Sequence, residues 1–356
     1  MLLGNELLVL IFYYRKMKEL KKVLIEDFKL SNGKTITLNL SYQTFGRPLH
    51  SAPIVLVNHA LTGNSNVCGE AGWWKDLIGM GKCIDTVIYT IFAFNIPGNG
   101  FDGQTLEELE IDFTDFTARD VACLFAKGLD ILKITQLFAV IGGSVGGGIA
   151  WELATLRPKL IENLIPIATD WKSTDWVIAN CHVQSAILNN SAKPLSDARK
   201  HAMTLYRTPE SLSNKFMRSK IDGKVYNVES WLNHHGNKLT KRYQLSAYKL
   251  MNQILKTIDI TQDTDNFLVT ASKIESNIHI VTINSDLLFK TEQNWNTYVE
   301  LRSVKDNVTI GEIDSIHGHD AFLIEYQQLS QLLKPVFQNE KKSMRTNYNF
   351  NLKRIA

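Results

Sequence analysis

The sequence is short of several features that would point to whole classes of protein. Its 356 residues hold only four cysteines. Cys68, Cys83, Cys123 and Cys181 are widely spaced and none forms Cys-x-x-Cys, which argues against a zinc ribbon, a dithiol redox motif or a disulfide framework and reads as a reduced, cytoplasmic protein. No His or Cys cluster has metal-ligand spacing; the adjacent His234 and His235, on a helix-like stretch, point different ways, so no metal is expected. Charge of one sign is also scarce. The net formal charge is +3 with basic residues scattered along the chain, giving no electrostatic reason to expect nucleic acid. Long apolar runs are missing too: Leu7 to Tyr14 is far below the roughly 20 residues that cross a bilayer, and its basic residues follow rather than precede it, so no membrane span or signal peptide is expected. Residues 1–16 are read as an N-terminal extension and the polar, basic stretch 341–356 as a solvated tail.

What is present is a parallel-sheet pattern. Val23 to Phe28 and Thr35 to Thr44 read as a hairpin turning at Ser31-Asn32-Gly33, and Ile54 to Val57, Val87 to Phe94, Leu137 to Ile141 and Leu164 to Ala168 as buried strands. Thr117 to Leu132 has helical spacing. Continuous apolar strands alternating with helices predict an α/β fold, a mostly parallel central sheet flanked by helices. From Trp171 the strand-like runs cease, and helical stretches are expected at Thr174 to Leu188, Ser196 to Tyr206, Val228 to His235 and Arg242 to Thr257. The expected organisation is a core of 17–170 and 271–340, interrupted at 171–270 by an inserted helical lid over the carboxyl edge of the sheet.

At that edge, Gly142-Gly143-Ser144-Val145-Gly146 puts one serine between small residues where a strand turns into a helix, the pattern of a nucleophile elbow. Gly-x-Ser-x-Gly alone is weak, since glycine-rich turns produce it often. Its weight comes from Asp286, after the run Ile278 to Ile283, and His319, after Val308 to Ile313, each just past a predicted strand. Ser, then Asp, then His is the chain order of the α/β-hydrolase fold. Asn58-His59-Ala60-Leu61 follows the third strand, where this fold supplies an oxyanion donor, so the amides of Leu61 and Val145 are assigned that role. Two other glycine motifs fail. Gly98-Asn99-Gly100-Phe101-Asp102-Gly103 matches a dinucleotide fingerprint with Asp120 near the ribose position, but the acidic run after Thr105 would face a pyrophosphate; Gly79-Met80-Gly81-Lys82 lacks the upstream glycine of a phosphate-binding loop. By spacing alone Arg199 is a solvated surface arginine, and Asp320 stands at the mouth of the site because it follows the predicted base.

The chain resembles the homoserine O-acyltransferases of the α/β-hydrolase superfamily, best known as homoserine O-acetyltransferases, from about Asp27 to Leu333. The resemblance rests on His59-Ala60-Leu61-Thr62-Gly63, Gly72-Trp73-Trp74, Arg119-Asp120, Gly142 to Gly147, Asp197-Ala198-Arg199 before Leu205-Tyr206-Arg207, Val228 to Leu232 with His235-Gly236-Asn237-Lys238, and Gly318-His319-Asp320-Ala321-Phe322-Leu323. It implies that Ser144 takes the acyl group, Asp286 orients His319, and Arg199 and Asp320 hold the amino-acid acceptor. It also implies acetyl-CoA as co-substrate with no bound cofactor, L-homoserine as acceptor in methionine biosynthesis, and a homodimer formed through the lid. Departures border the acyl pocket and lid: Val145 replaces the family's usual methionine or leucine, Asn95 to Gln104 lacks Gly-Ser-Thr-Gly-Pro, and the stretch from Ser144 to Arg199 is short. Succinyl-CoA as donor, L-serine as acceptor, and plain ester or thioester hydrolysis by the same triad stay open; only the Arg199 and Asp320 pair argues against the last.

Overall fold

The structure is a computed structural model, and it describes residues 19–338; the extension 1–16 and the tail 341–356 lie outside the described residues. Eight strands form one sheet: β1 (Lys21–Lys29), β2 (Thr35–Gly46), β3 (Ile54–Asn58), β4 (Thr90–Phe94), β5 (Leu137–Gly143), β6 (Ile161–Ile167), β7 (Asn277–Ile283) and β8 (Val308–Ile313). Their spatial order is β1-β2-β4-β3-β5-β6-β7-β8, and β2 alone runs against its neighbours. Every residue of β3, β4 and β5 is buried, as unbroken apolar runs require when both faces of a sheet are covered. Alternate residues of β3 serve opposite faces: Leu56 belongs to one core cluster, Val55 and Val57 to the other.

The opening hairpin is tied to the first core helix, α1 (Ala118–Ile131). Thr117 and Asp120 form a capping box there, and Asp120 also accepts hydrogen bonds from the Ser31 amide (2.7 Å) and hydroxyl (2.6 Å). The second core helix, α2 (Val145–Leu156), springs directly from β5. The strand expected from Val87 begins only at Thr90. Asp85 captures the intervening turn, its backbone carbonyl accepting from Ile88 and Tyr89 and its carboxylate from the Val87 amide.

Between β6 and β7 the chain is helical: α3 (Asp175–Asn190), α4 (Pro194–Tyr206), α5 (Pro209–Phe216), α6 (Asn227–Thr240), α7 (Leu245–Lys256) and the short α8 (Phe267–Ala271). A two-stranded ribbon, Lys220–Ile221 against Val225–Tyr226, joins α5 to α6; two-residue strands leave no periodicity to read in a sequence. Helix α9 (Thr291–Arg302) and a helix over 326–338 complete the sheet's cover. Among the described residues, no helix is long and apolar enough to cross a membrane.

Candidate active site

At the end of β5 the backbone turns into α2 through Ser144, whose φ of 55° and ψ of −129° lie where a non-glycine residue is strained. The turn closes only because its neighbours lack side chains. A Cβ on Gly146 would come within 2.5 Å of the Asn58 carbonyl oxygen at the end of β3. The Ser144 amide donates to the Ile167 carbonyl (2.9 Å), so β6 fixes the corner. The hydroxyl stands free of hydrogen bonds among the described residues, with Ser144 5% exposed.

His319 lies on a 3₁₀ turn, Gly318–Leu323, beyond β8. Phe322, from the same turn, packs so tightly on Gly143 that a Cβ there would approach its ring to 2.5 Å, which seats the turn beside Ser144. His319 Nδ1 is 2.6 Å from Asp286 Oδ2. The other oxygen of Asp286 accepts from the amides of Leu288 (2.7 Å) and Phe289 (3.0 Å), so a fully buried carboxylate is held by three contacts. Asp286 therefore selects the tautomer with the proton on Nδ1 and leaves Nε2 free to act as a base. Burial presses the His319 pKa down, but the charge and hydrogen bond of Asp286, with the charge of Asp320, outweigh it, and the net shift is upward.

The segments that carry the predicted oxyanion donors meet at the junction of β3 and α2. Asn58 Nδ2 donates to the Gly146 carbonyl (3.2 Å), and the amides of Leu61 and Val145 enter no hydrogen bond among the described residues. Two unpaired N–H groups directed at the carbonyl that a serine attacks can stabilise a developing negative charge on the carbonyl oxygen. His59 braces this loop. Its buried ring has Nδ1 2.9 Å from the Ala60 carbonyl, while Nε2 accepts from the Ile96 amide (3.1 Å) and lies 3.3 Å from Asn99 Nδ2. Burial pushes its pKa down to about 4, partly offset by the Ala60 hydrogen bond, so the ring is neutral near pH 7.

The helical insertion completes the site. Arg199 on α4 lies over the Tyr206 ring at 5.5 Å, and that ring is 5.5 Å from His319. Asp320 has no hydrogen-bond partner among the described residues; burial raises its pKa, opposed by Arg199, His319 and Arg207. The sequence alone gave no role to the contacts that join the insertion to the core. Tyr243 donates to the Leu61 carbonyl (3.1 Å), and Arg242 to that of Thr62 (2.9 Å). Thr208 donates to the Ile316 carbonyl (2.5 Å), and Arg207 Nη2 to His317 Nδ1 (2.8 Å) and to Ser211 (2.6 Å). The one available signal was the seven-residue spacing of Arg199 and Tyr206, two turns apart on one helix face. A cavity of about 20 Å³ lies between Leu61, Tyr206, Tyr248 and Leu288, whereas a hollow of about 410 Å³ at Gly81 to Cys83 and Lys334 touches none of these residues.

Asp120, near the ribose position of the rejected fingerprint, is used up by the α1 cap and Ser31. The His234 and His235 rings are perpendicular, and among the described residues no group of three or more His, Cys, Asp or Glu could hold a metal.

Sheet order, elbow and the position of the Asp286–His319 pair define an enzyme of the α/β-hydrolase class, and the family model for the alpha/beta hydrolase fold matches residues 53–301. Within that class the chain is 33% identical to a homoserine O-acetyltransferase from Methanococcus vannielii, over 88% of this chain and 71% of that protein. It therefore belongs to the homoserine O-acetyltransferase family, a family of acyltransferases. A homoserine O-acetyltransferase structure from Bacillus anthracis superposes with a TM-score of 0.79 at 19% identity, covering 90% of this chain and 97% of that one. Esterase E22 reaches the same TM-score at 18% identity, covering 90% and 99%, so fold alone does not separate transfer from hydrolysis.

Proposed function

We propose that the chain transfers an acetyl group from acetyl-CoA to the hydroxyl of L-homoserine through an acyl-enzyme on Ser144, a step of methionine biosynthesis. His319 Nε2 takes the Ser144 proton as the serine oxygen attacks the thioester carbonyl; the amides of Leu61 and Val145 hold the oxyanion, the C–S bond breaks, and the proton passes to the departing thiolate. The homoserine hydroxyl then attacks the acyl-serine, giving its proton to His319, which returns it to the Ser144 oxygen. Arg199 binds the acceptor carboxylate and Asp320 its ammonium. The helical insertion serves as a lid whose exclusion of water favours the alcohol.

The observation that carries the acceptor side is the half-buried Asp320 carboxylate, one residue from the base, without a hydrogen-bond partner among the described residues and with the Arg199 charge acting to hold its pKa down. An ester hydrolase has no α-amino acid to hold there. The decisive experiment incubates the purified protein with acetyl-CoA or succinyl-CoA, with and without homoserine or serine, and follows CoA release and product mass. O-acetylhomoserine formation dependent on both substrates is expected; CoA release indifferent to the acceptor would leave a thioesterase. We further assign a homodimer through the lid, which light scattering tests.

A further inference from the structure

The helical insertion concentrates positive charge that the proposed chemistry leaves unused. From Lys215 to Arg242 stand seven lysines and arginines against two carboxylates, whereas the whole chain has an excess of only three cations. All seven are exposed, and among the described residues none has a carboxylate within salt-bridge distance. The two acids do not neutralise the row. Glu229 accepts from the Tyr226 amide (3.0 Å) to cap α6, and Asp222 sits in the turn of the ribbon.

Three of the cations, Lys215, Arg218 and Lys220, lie over aromatic rings. Lys215 Nζ is 5.4 Å from the Trp231 ring and Lys220 Nζ 4.6 Å from Tyr226. Beside Trp231, at 4.4 Å, lies the half-buried His235 ring, whose pKa is pushed down to about 4 by burial and then by Arg199, His234, Lys238 and Lys215. Burial, and then Arg199, act in the same direction on Arg242, which donates to the Thr62 carbonyl next to Leu61. Cations thus stand at the ribbon, around the Trp231–His235 pair and at the loop next to Leu61. Like charges in such a row repel one another, and an anionic ligand relieves that repulsion.

We propose that this row binds the phosphate-bearing end of a coenzyme A thioester, with Lys215 and Lys238 contacting phosphate and the thioester arm passing Arg242 towards Ser144. The inference deepens the proposed function and rests on it for the identity of the donor. Homoserine, a small zwitterion met by Arg199 and Asp320, has no use for seven cations. The row ends at the loop that carries Leu61, where the donor's carbonyl must arrive.

The test is the double variant Lys215→Glu/Lys238→Glu, both positions being exposed, assayed with acetyl-CoA and with S-acetylpantetheine, which has the same thioester and no phosphate. The KM for acetyl-CoA should rise about tenfold or more, with kcat and the S-acetylpantetheine parameters unchanged. Added salt should weaken acetyl-CoA selectively in the wild type. Binding of 3′,5′-ADP, measured by calorimetry, should weaken by a similar factor in the variant. If wild type binds 3′,5′-ADP through this row yet transfers no acetyl group, the proposed reaction falls and the phosphate site stands. Equal loss with both donors, no loss with either, or an altered oligomeric state with donor-independent effects would overturn the phosphate site.

Discussion

The strand ends and the helical insertion contribute to one site in opposite ways. On the sheet, the functional groups are tied down by backbone: Ser144 by Ile167, Asp286 by two amides, and His319 by Asp286 and the packing of Phe322 on Gly143. On the insertion, the cations nearest the site lack acidic partners: among the described residues, neither Arg199, which lies over the Tyr206 ring, nor any lysine or arginine from Lys215 to Lys241 has a carboxylate within salt-bridge distance. The preorganised half is suited to bond making, the same for any acyl group. On the proposed function, substrate completes the unsatisfied half, and selectivity resides there.

Variants that remove a group from each half should separate these roles. Ser144→Ala should cost about 10⁶ in turnover, and intact mass after acetyl-CoA exposure should show one acetyl group on the wild type only. Asp286→Asn should fold normally yet lose roughly 10⁴, the imidazole being left in the wrong tautomer, with both half-reactions slowed alike in single-turnover assays. On the insertion, Arg199→Ala should lower kcat/KM for homoserine by about 2–3 kcal/mol while first-burst CoA release stays near wild type. Slow acylation with normal homoserine handling would reverse the comparison and favour a hydrolase. A smaller effect concerns stability: Ser144→Gly relieves the positive φ and should raise the unfolding free energy by about 1 kcal/mol in denaturant titration, although activity is lost. Smallest is a pH effect across the boundary. His319 must be neutral to accept a proton, so acylation should increase as pH rises through a pKa held above 6.5. Asp320 contributes to that upward shift, so Asp320→Asn should move the acid limb of the rate profile to lower pH.

The sheet half was largely legible in sequence. Ser144 and Asp286 each follow an apolar run that the sheet buries, His319 follows the shorter edge strand β8, buried only at Val308 and Ile313, and Thr117 before Asp120 announces the start of α1. The insertion was legible as helices, but Arg199 was indistinguishable by spacing from a solvated arginine and acquired a role only through family resemblance. The Arg242–Thr62, Arg207–His317 and Tyr243–Leu61 contacts join residues more than a hundred positions apart and leave no local pattern. Nor does the buried Arg119, whose Nε lies 2.5 Å from Glu152 and whose Nη1 is 2.8 Å from Asp263, since charged side chains are expected at the surface.

The joint between Tyr206–Thr208 and Ile316–Gly318 bears on how such a protein can change. Thr208 and Arg207 grip the peptide segment immediately before His319, and the Tyr206 carbonyl lies 2.9 Å from where a Cβ on Gly318 would sit. The helices are therefore not an interchangeable module laid over a finished catalyst. A graft from another member of the superfamily would carry its acceptor pocket with it but arrive without the clasp that steadies the base, so recombination must exchange the end of α4 and the histidine loop together, as one inherited unit.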